Sequence, residues 1–363
     1  MRDGRRLRRP LDALLARLDA PLLAEPTSQL RREPARGLVE AYDALLRDEA
    51  WARSRAPDLV LRLGAPPTSK SLNQYLARHA GSVVVVDPDR AWRDPDQQAM
   101  EMVASDPVAL LEGVAERLAG LSAGAWQQSW REAGAIANAA LLEQLDRTPM
   151  HEGHVVRALA RQLPEEATVF VGSSMAIRDV DTFWPGAGSA QRFLANRGAS
   201  GIDGLVSTGL GIAATSAEPT VLLLGDLSLF HDMNGLWAAR RHNLRAVIVV
   251  LDNNGGGIFD FLPQARHRDV FEEVFATPLD LAIENVARLH ELTYCPVEEV
   301  ADLPEALKRA LAAGHTTIVA ARFQRATSVE GHRACWAAVA QALRRAEDPA
   351  REFRRGRRAA PEA

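Results

Sequence analysis

Cysteine is scarce in this sequence: its 363 residues include only Cys295 and Cys335, which lie in neither a CxxC pair nor a His–Cys cluster. Isolated thiols of this kind predict a reduced, cytoplasmic protein and exclude a disulfide-stapled secreted domain. Long apolar runs are also missing. None approaches the about 18 residues of a membrane span, and no apolar signal-peptide segment follows the basic start. We therefore expect no membrane insertion.

Lysine is almost as scarce, since it stands only at positions 70 and 308 while the other 41 of the 43 basic residues are arginine. Residues 1–10 carry five arginines, and the segment from residue 346 mixes charge with glycine and proline. Either end could be a nucleic-acid-binding arm. Because the net charge is −4, we instead expect two solvated tails and no nucleic-acid partner.

Short apolar runs alternate with helical patterns between these ends. Six runs rich in Val, Leu or Ile predict strands at residues 58–63, 82–87, 168–171, 220–224, 246–251 and 316–321. Helical patterns lie between them at residues 108–118, 125–145, 154–163 and 303–313. Strands without polar alternation are typical of parallel sheets buried on both faces, so the pattern predicts an α/β protein. At about 150 residues per domain, the length fits two Rossmann-like domains with mostly parallel sheets covered by helices.

The segment DRTPMH, ending at residue 151, favours a domain boundary. Thr148 is predicted to cap a helix that begins at Pro149, with Glu152 in the first turn near the positive end of the helix dipole. The predicted divisions are an α/β domain with a basic N-terminal tail at residues 1–146, a second α/β domain at 147–345 and a disordered basic tail at 346–363.

Two glycine-rich segments resemble phosphate loops without meeting their requirements. The segment GAPPTSKS has Ser69 where the G-x4-G-K-[ST] loop needs glycine, and its prolines remove backbone N–H donors. Lys70 still follows a predicted strand end, where α/β sheets contact ligands, although it could equally be an ordinary surface lysine. Residues 209–214 match a loose G-x-G-x-x-A pattern, but we expect small residues packed closely on a sheet, because the preceding segment is polar.

Two consecutive buried strands end in polar and glycine residues. The strand at 220–224 runs into GDLS, an amphipathic helix is predicted at about 229–241, and the strand at 246–251 runs into DNNGGG. A right-handed crossover places both strand ends at one sheet edge, so Asp226 and Asn253 can meet there. Carboxylate, amide and carbonyl oxygens suit Mg²⁺, and the glycines let backbone approach a diphosphate. The alternative is a pair of ordinary strand-end turns.

The residues that follow these two strands, and the spacing between them, resemble the motif of a known enzyme family. GDLS followed by DNNGGGIF, with 27 positions from Asp226 to Asn253, resembles the thiamine diphosphate motif of pyruvate-oxidase-like enzymes. With RLGAPPTSK, VGSSMAIR and NRGASGIDG upstream, the chain more narrowly resembles the 2-succinyl-5-enolpyruvyl-6-hydroxy-3-cyclohexene-1-carboxylate synthase family of menaquinone biosynthesis. This resemblance implies a transferase that uses thiamine diphosphate with Mg²⁺ or Mn²⁺. It decarboxylates 2-oxoglutarate and adds the resulting carbanion to isochorismate.

The resemblance also implies which residues hold the cofactor. The metal ligands are the side chains of Asp226 and Asn253 and the carbonyl of Gly255. The implied cofactor contacts are Ile202, Gly225, Asp226, Leu227, Ser228 and Asn253.

An apolar wall around the reacting carbon is implied in the same way. Ile202 resembles the bulky residue that forces the cofactor into its V shape. A wall of this kind lowers the local dielectric constant and favours decarboxylation of a charged adduct. The residues that the resemblance gives a catalytic role are Ile202, Ile258, Phe259 and Leu262.

The two implied substrates are dianions, so the site needs cations. Arg178 with Ser174, and Arg197, resemble the family's clamp on substrate carboxylates, for which the planar guanidinium is suited. Lys70 resembles a family lysine on the isochorismate side.

The resemblance leaves a gap, because nothing in the sequence corresponds to the family's N-terminal pyrimidine-binding domain with its glutamate for the aminopyrimidine ring. We therefore expect this chain to be incomplete and inactive alone, and to act as a homo-oligomer or with a separate pyrimidine-domain chain. Two alternatives stay open. One is another thiamine diphosphate enzyme, such as a decarboxylase or an acetohydroxyacid synthase relative, which usually carries GDG. The other is a non-catalytic protein that retains the cofactor pocket.

Overall fold

The chain folds around two parallel β-sheets in a computed structural model that describes residues 4–32, 35–118, 124–186 and 190–347. The predicted α/β class is confirmed. The predicted C-terminal tail lies outside the described residues from position 348 onward, as do residues 1–3. The boundary proposed between residues 146 and 147 stays a prediction.

The first sheet has three parallel strands in the order β1-β2-β3: Leu59–Leu63, Ser82–Val86 and Ala99–Val103. The apolar runs predicted strands that are buried on both faces. For β1 this prediction is wrong, because the Leu59 side chain is 61% exposed. Strand β3 was not predicted. Its sequence AMEMV has helix-favouring residues, so local propensity points away from a strand and only the pairing with β2 produces one.

The helices of this part are α1 (Gly4–Leu15), α2 (Tyr42–Leu45), α3 (Glu49–Arg53), α4 (Lys70–His79), α5 (Pro107–Arg117) and α6 (Ala125–Leu145), with a 3₁₀ turn at Pro26–Ser28. The expectation of a solvated N-terminal tail is wrong from residue 4 onward. Leu7, Leu11 and Leu14 lie on one face of α1 and are buried in a cluster with α5, while Arg8 pairs with Asp12 at 2.6 Å. The many arginines of this segment make the helical spacing of its leucines hard to recognise in the sequence.

The second sheet has six parallel strands, β4 to β9: Thr168–Val171, Arg192–Leu194, Thr220–Gly225, Ala246–Asp252, Thr293–Val297 and Thr317–Arg322. Their order is β5-β4-β6-β7-β9-β8. The sequence did not predict β5 and β8. Strand β5 is three residues long, and β8 contains Pro296, which an edge strand tolerates because its outer side needs no N–H donor.

The helices around this sheet are α7 (Glu152–Gln162), α8 (Met175–Phe183), α9 (Leu205–Thr215), α10 (Asp226–His231), α11 (Trp237–Arg241), α12 (Arg268–Phe271), α13 (Ile283–Leu289), α14 (Leu303–Ala312) and α15 (Arg325–Ala346). Shorter helical segments are the 3₁₀ turns Met233–Leu236, Gly257–Phe261, Pro263–Arg266 and Val300–Asp302, and a π-helical turn at Glu272–Ala276.

Two local predictions in this part are wrong. Thr148 does not cap the helix after it; its hydroxyl donates to carbonyls at the end of α6, and His151 is the N-cap of α7. The single helix expected at 229–241 is broken between α10 and α11. At the break, Asp232 accepts hydrogen bonds from the backbone and hydroxyl of Ser207, which bind it outside a regular helix.

The core of the larger sheet follows the two-residue period of its strands. Leu223 and Val249 face one cluster, while Leu222 and Ile248 face the other. The first cluster continues without a break into the residues of α6, so one apolar core joins the two sheets. Each fully buried Leu or Ile contributes about 1.5–3 kcal/mol. Among the helices of the described residues, none is both long and apolar enough to cross a membrane.

The close packing expected at residues 209–214 is present at Gly209, where a Cβ would overlap the Leu222 side chain, but not at Gly211 and Ala214, which are exposed. We predict that Gly209→Ala lowers the free energy of unfolding by about 1–3 kcal/mol through overpacking. Urea denaturation followed by circular dichroism measures this. Gly211→Ala is the matched control, because it lies on the same helix and no atom of the described residues comes within 4 Å of its added methyl. The control should gain about 0.5–1 kcal/mol from helix propensity; equal effects would contradict the packing account.

Candidate functional site

A cavity of about 150 Å³ opens at the carboxyl ends of β4, β6 and β7. Its lining comes from the strand ends, from the starts of α7, α8 and α10, and from the segments around Ile202 and Ile258. Ligands of open α/β sheets bind outside this edge. A pocket that encloses a whole ligand measures roughly 300–1,000 Å³, so this cavity encloses only part of a cofactor.

Asp226 is the first residue of α10 and lies at the end of β6, with its side chain buried in the cavity wall. Its carboxylate accepts from the backbone N–H groups of Leu227 and Gly255, each at 2.8 Å. Burial raises the pKa of Asp226 to about 6, against the opposing effect of these donors. A bound cation would favour the charged carboxylate.

Asn253 follows β7 and is also buried in the cavity wall. Its Nδ2 donates to Oε1 of Glu152 at 3.4 Å. Its Oδ1 is buried and accepts no hydrogen bond from any of the described residues. A buried amide oxygen without a partner costs free energy, so this atom fits a ligand position.

The glycines after Asn253 bring the backbone to the cavity. Gly255 has φ +134°, and a Cβ there would collide with the carbonyl of Ala276. A Cβ on Gly257 would lie 2.7 Å from Nδ2 of Asn253. A side chain at Gly257 would therefore fill the space beside the amide, whereas one at Gly255 would collide with neighbouring backbone. The donor set of carboxylate, amide and carbonyl oxygens fits Mg²⁺.

The implied cofactor contacts all line this cavity. Ile202, Ile258 and Phe259 also line it and form its apolar side, whereas Leu262 does not and lies between the turns Gly257–Phe261 and Pro263–Arg266. Of the four residues assigned a catalytic role, the structure brings three together.

The cationic residues lie at different distances from the cavity. Ser174 lines it in a left-handed conformation, φ 68°, and its carbonyl accepts from Nη1 of Arg178 at 2.5 Å. Burial and the charge of Arg197 lower the pKa of Arg178, so the two guanidinium groups lie within electrostatic reach. Neither arginine lines the cavity, and Arg197 is exposed, so their contact with an anionic ligand there stays a prediction.

Lys70 is the exposed first residue of α4 and does not line the cavity. Its neighbours Ser69 and Ser71 each donate to Asp43 at 2.6 Å. Asp43 also accepts from the hydroxyl of Thr182 at 3.3 Å, on the helix α8 that carries Arg178. The start of α4 is therefore tied to α8 through one buried carboxylate.

A buried ionic cluster lies behind Asn253, and sequence reasoning missed it. Glu152 accepts from the hydroxyl of Ser328 at 2.7 Å, and His332 contacts Asp179 at 2.9 Å. Burial disfavours the imidazolium, but the hydrogen bond and charge of Asp179 raise the pKa of His332 to about 9. Burial raises the pKa of Asp179 to about 6. The signal in the sequence was Glu152 at a helix start, where its only predicted role was to interact with the helix dipole.

This cluster is better described as an ion pair than as a second metal site. Ligand atoms of His151, Glu152 and His332 lie within 4.8 Å of one another. Both ring nitrogens of His332 are engaged, one with the Ser328 carbonyl at 2.8 Å and the other with Asp179. A ring that donates from both nitrogens has no lone pair for a metal.

Comparison with known proteins agrees with this geometry. The family model described as "Thiamine pyrophosphate enzyme, C-terminal TPP binding domain" matches residues 182–321. The chain is 44% identical over 90% of its length to the 2-succinyl-5-enolpyruvyl-6-hydroxy-3-cyclohexene-1-carboxylate synthase of Geobacillus kaustophilus. It is 39% identical over 91% to that of Oceanobacillus iheyensis and 37% identical over 94% to that of Listeria monocytogenes.

The chain belongs to this synthase family. It spans 57%, 58% and 60% of the length of these three relatives. The family membership confirms the resemblance drawn from GDLS and NRGASGIDG and the thiamine diphosphate-binding fold. The assignment of individual residues in the synthase-like site stays a prediction.

The His332 ion pair predicts a pH dependence of stability. Since the folded-state pKa of about 9 exceeds the 6.5 of an unperturbed histidine, the contribution is complete below pH 6.5 and is lost as the pH rises through 9. We expect the free energy of unfolding to fall by on the order of 1–3 kcal/mol over that interval. Urea denaturation at several pH values measures it.

The variant His332→Gln should lose this alkaline decline and be less stable at pH 7.5, where Asp179 is ionised and would be left buried without its cation. His315→Gln is the control, since His315 is exposed. A decline that persists unchanged in His332→Gln would contradict the assignment.

Proposed function

We propose that this chain supplies the metal- and diphosphate-binding half of a thiamine diphosphate-dependent synthase of menaquinone biosynthesis. The reaction is decarboxylation of 2-oxoglutarate and addition of the resulting four-carbon carbanion to isochorismate, giving 2-succinyl-5-enolpyruvyl-6-hydroxy-3-cyclohexene-1-carboxylate. The proposal is supported by the family membership and by one structural observation: the unpartnered, buried Oδ1 of Asn253 in the cavity that Asp226 also lines.

In this proposal Asp226, Asn253 and the carbonyl of Gly255 hold Mg²⁺ or Mn²⁺. Gly225, Leu227 and Ser228 lie beside the diphosphate. The bound cofactor supplies a thiazolium ring that stabilises the carbanion left by decarboxylation. The protein's own contribution here is to hold the charged diphosphate and its cation in a fixed place.

The apolar side of the cavity shapes the environment of the reacting carbon. Ile202 supports the cofactor, and Ile258 and Phe259 exclude water from the carbon that loses carbon dioxide. A less polar environment favours conversion of a charged adduct into a nearly neutral one. Leu262, which lies outside the cavity lining, would act only from the rim.

The cations orient the dianionic substrates. Arg178 and Arg197 bind substrate carboxylates beside Ser174, where the planar guanidinium can make two parallel hydrogen bonds. Lys70 faces isochorismate from the first sheet, in the position that Asp43 maintains.

We further propose that the chain has little activity alone. It spans 57–60% of the three synthases compared above, and the proposed acid–base step on the aminopyrimidine ring belongs to the family's pyrimidine-binding domain. In this proposal the family's pyrimidine-binding domain, on whichever polypeptide carries it, completes the site in the cytoplasm. A decarboxylase-like or acetohydroxyacid synthase-like reaction and a non-catalytic cofactor-binding role are the alternatives that the experiments below separate.

The metal assignment predicts that Asp226→Ala abolishes binding of thiamine diphosphate with Mg²⁺, because the cation would lose its charged ligand. Isothermal titration calorimetry of the purified chain measures the affinity. Asp58→Ala is the control, since Asp58 is an exposed carboxylate that directly precedes β1. An unchanged affinity in Asp226→Ala would show that the metal site lies elsewhere.

A turnover assay tests the reaction itself. With 2-oxoglutarate, isochorismate, thiamine diphosphate and Mg²⁺, the chain alone should form little product, and adding a pyrimidine-domain chain should restore formation. Arg197→Gln in the restored enzyme should raise the KM for substrate by roughly tenfold or more, since a charge-assisted contact is worth about 1.5–3 kcal/mol. Full turnover by the chain alone would contradict the need for a partner. Asp226-dependent binding without turnover in any combination would favour the non-catalytic role.

A further inference from the structure

The amide of Asn253 can serve as a metal ligand in only one of its two orientations. Its oxygen and its NH₂ group are similar in size, and rotation by 180° exchanges them. The oxygen is an acceptor for a cation, whereas the NH₂ group would repel it. Something in the protein must therefore select the orientation in which Oδ1 is presented.

The hydrogen-bonding of the amide identifies that selector. Nδ2 of Asn253 donates to Oε1 of Glu152 at 3.4 Å, while Oδ1 has no partner within the described part of the chain. An ionised carboxylate accepts hydrogen bonds and cannot donate them. Glu152 can therefore pair with the NH₂ end of the amide and not with its oxygen.

Glu152 is itself held in place from the side away from Asn253. Its side chain is 1% exposed, and Oε2 accepts from the Ser328 hydroxyl on α15 at 2.7 Å. The ring of His332, one turn further along α15, lies 4.0 Å from the same oxygen. Oε2 is therefore held by α15, and Glu152 itself is the first residue of α7. For these reasons the carboxylate offers a fixed acceptor to the amide.

We propose that Glu152 is a positioning residue that orients the Asn253 amide, so that Oδ1 is kept available to the divalent cation. This inference rests on the proposed function, because it concerns the same metal site. Glu152 acts through Asn253. Hydrogen-bond partners of metal ligands commonly contribute 10–100-fold to metal affinity.

The first test compares two substitutions of Glu152. The dissociation constant of Mn²⁺ is measured by electron paramagnetic resonance on the purified chain with thiamine diphosphate. Glu152→Ala removes the acceptor and should weaken Mn²⁺ binding by about 10–100-fold. Glu152→Gln can present either its carbonyl or its NH₂ group to the amide, so it no longer selects one orientation and should also weaken Mn²⁺ binding by several-fold or more.

The second test uses a substitution that makes orientation irrelevant. In Asn253→Asp both side-chain atoms are oxygens, so no selector is needed, and Glu152 becomes a like charge beside Asp at 253. Adding Glu152→Ala to this background should leave Mn²⁺ affinity unchanged or tighten it. The weakening caused by removing Glu152 is thus lost or reversed when residue 253 is Asp, which a role in packing alone would not produce.

The outcomes separate this inference from the proposed function. If Asp226→Ala binds Mn²⁺ as tightly as the parent, the proposed metal site is wrong. If Asp226→Ala loses binding while Glu152→Ala keeps it, the site stands and the positioning role is overturned. An unchanged affinity in Glu152→Gln, or equal weakening by Glu152→Ala in both backgrounds at 253, also overturns it.

Folding of each variant is checked by urea denaturation without metal. If Glu152→Ala does not fold, Ser328→Ala decides, because it leaves the carboxylate in place and removes only the hydroxyl that anchors Oε2. We expect Ser328→Ala to weaken Mn²⁺ binding by several-fold, and an unchanged affinity there would overturn the proposal.

Discussion

The parallel pairing of β6 with β7 is the interaction on which the site depends. The register runs from Thr220 opposite Ala246 to Gly225 opposite Leu251, so both strands end at the same level. Asp226 and Asn253 therefore come to one cavity although 27 positions separate them in the chain. Apolar side chains on both faces of the sheet stabilise this pairing. At the carboxyl ends of the two strands, polar residues replace these apolar ones.

Behind this edge of the sheet, charged side chains are buried in the core of the protein. The carboxylates of Asp179, Asp181 and Glu152 are almost completely buried, and each has a cationic or hydroxyl partner. Buried charges are tolerated only with such partners, and losing one partner is strongly destabilising. Arg31 pairs with Asp181 and so joins the segment before the first sheet to α8. These pairs connect the metal side of the site to the first sheet, whose own helix α4 carries Lys70.

Local sequence patterns predicted the central strands and the helices α5, α6, α7 and α14 closely, since these depend on apolar periodicity, but the 22-residue α15 was not predicted. Helix α6 has the predicted ends, and β6 and β7 each extend one residue beyond the predicted run. The failures occur where tertiary contacts override local preference. Strand β3 exists because β2 offers a partner, α1 is ordered because its leucines meet α5, and the helix break before α11 follows from the bonds of Asp232 to Ser207.

The sequence by itself determined the α/β class, the position of the two polar strand ends and the family, because these depend on composition, period and motif. Only the tertiary structure decided which residues share a cavity. Ile202, Ile258 and Phe259 line the cavity, whereas Leu262 and Lys70 do not. It also brought Glu152 next to Asn253, 101 positions away. Such neighbours arise from helix packing on the sheet. No local pattern encodes the distance between two side chains that meet only after the chain has folded.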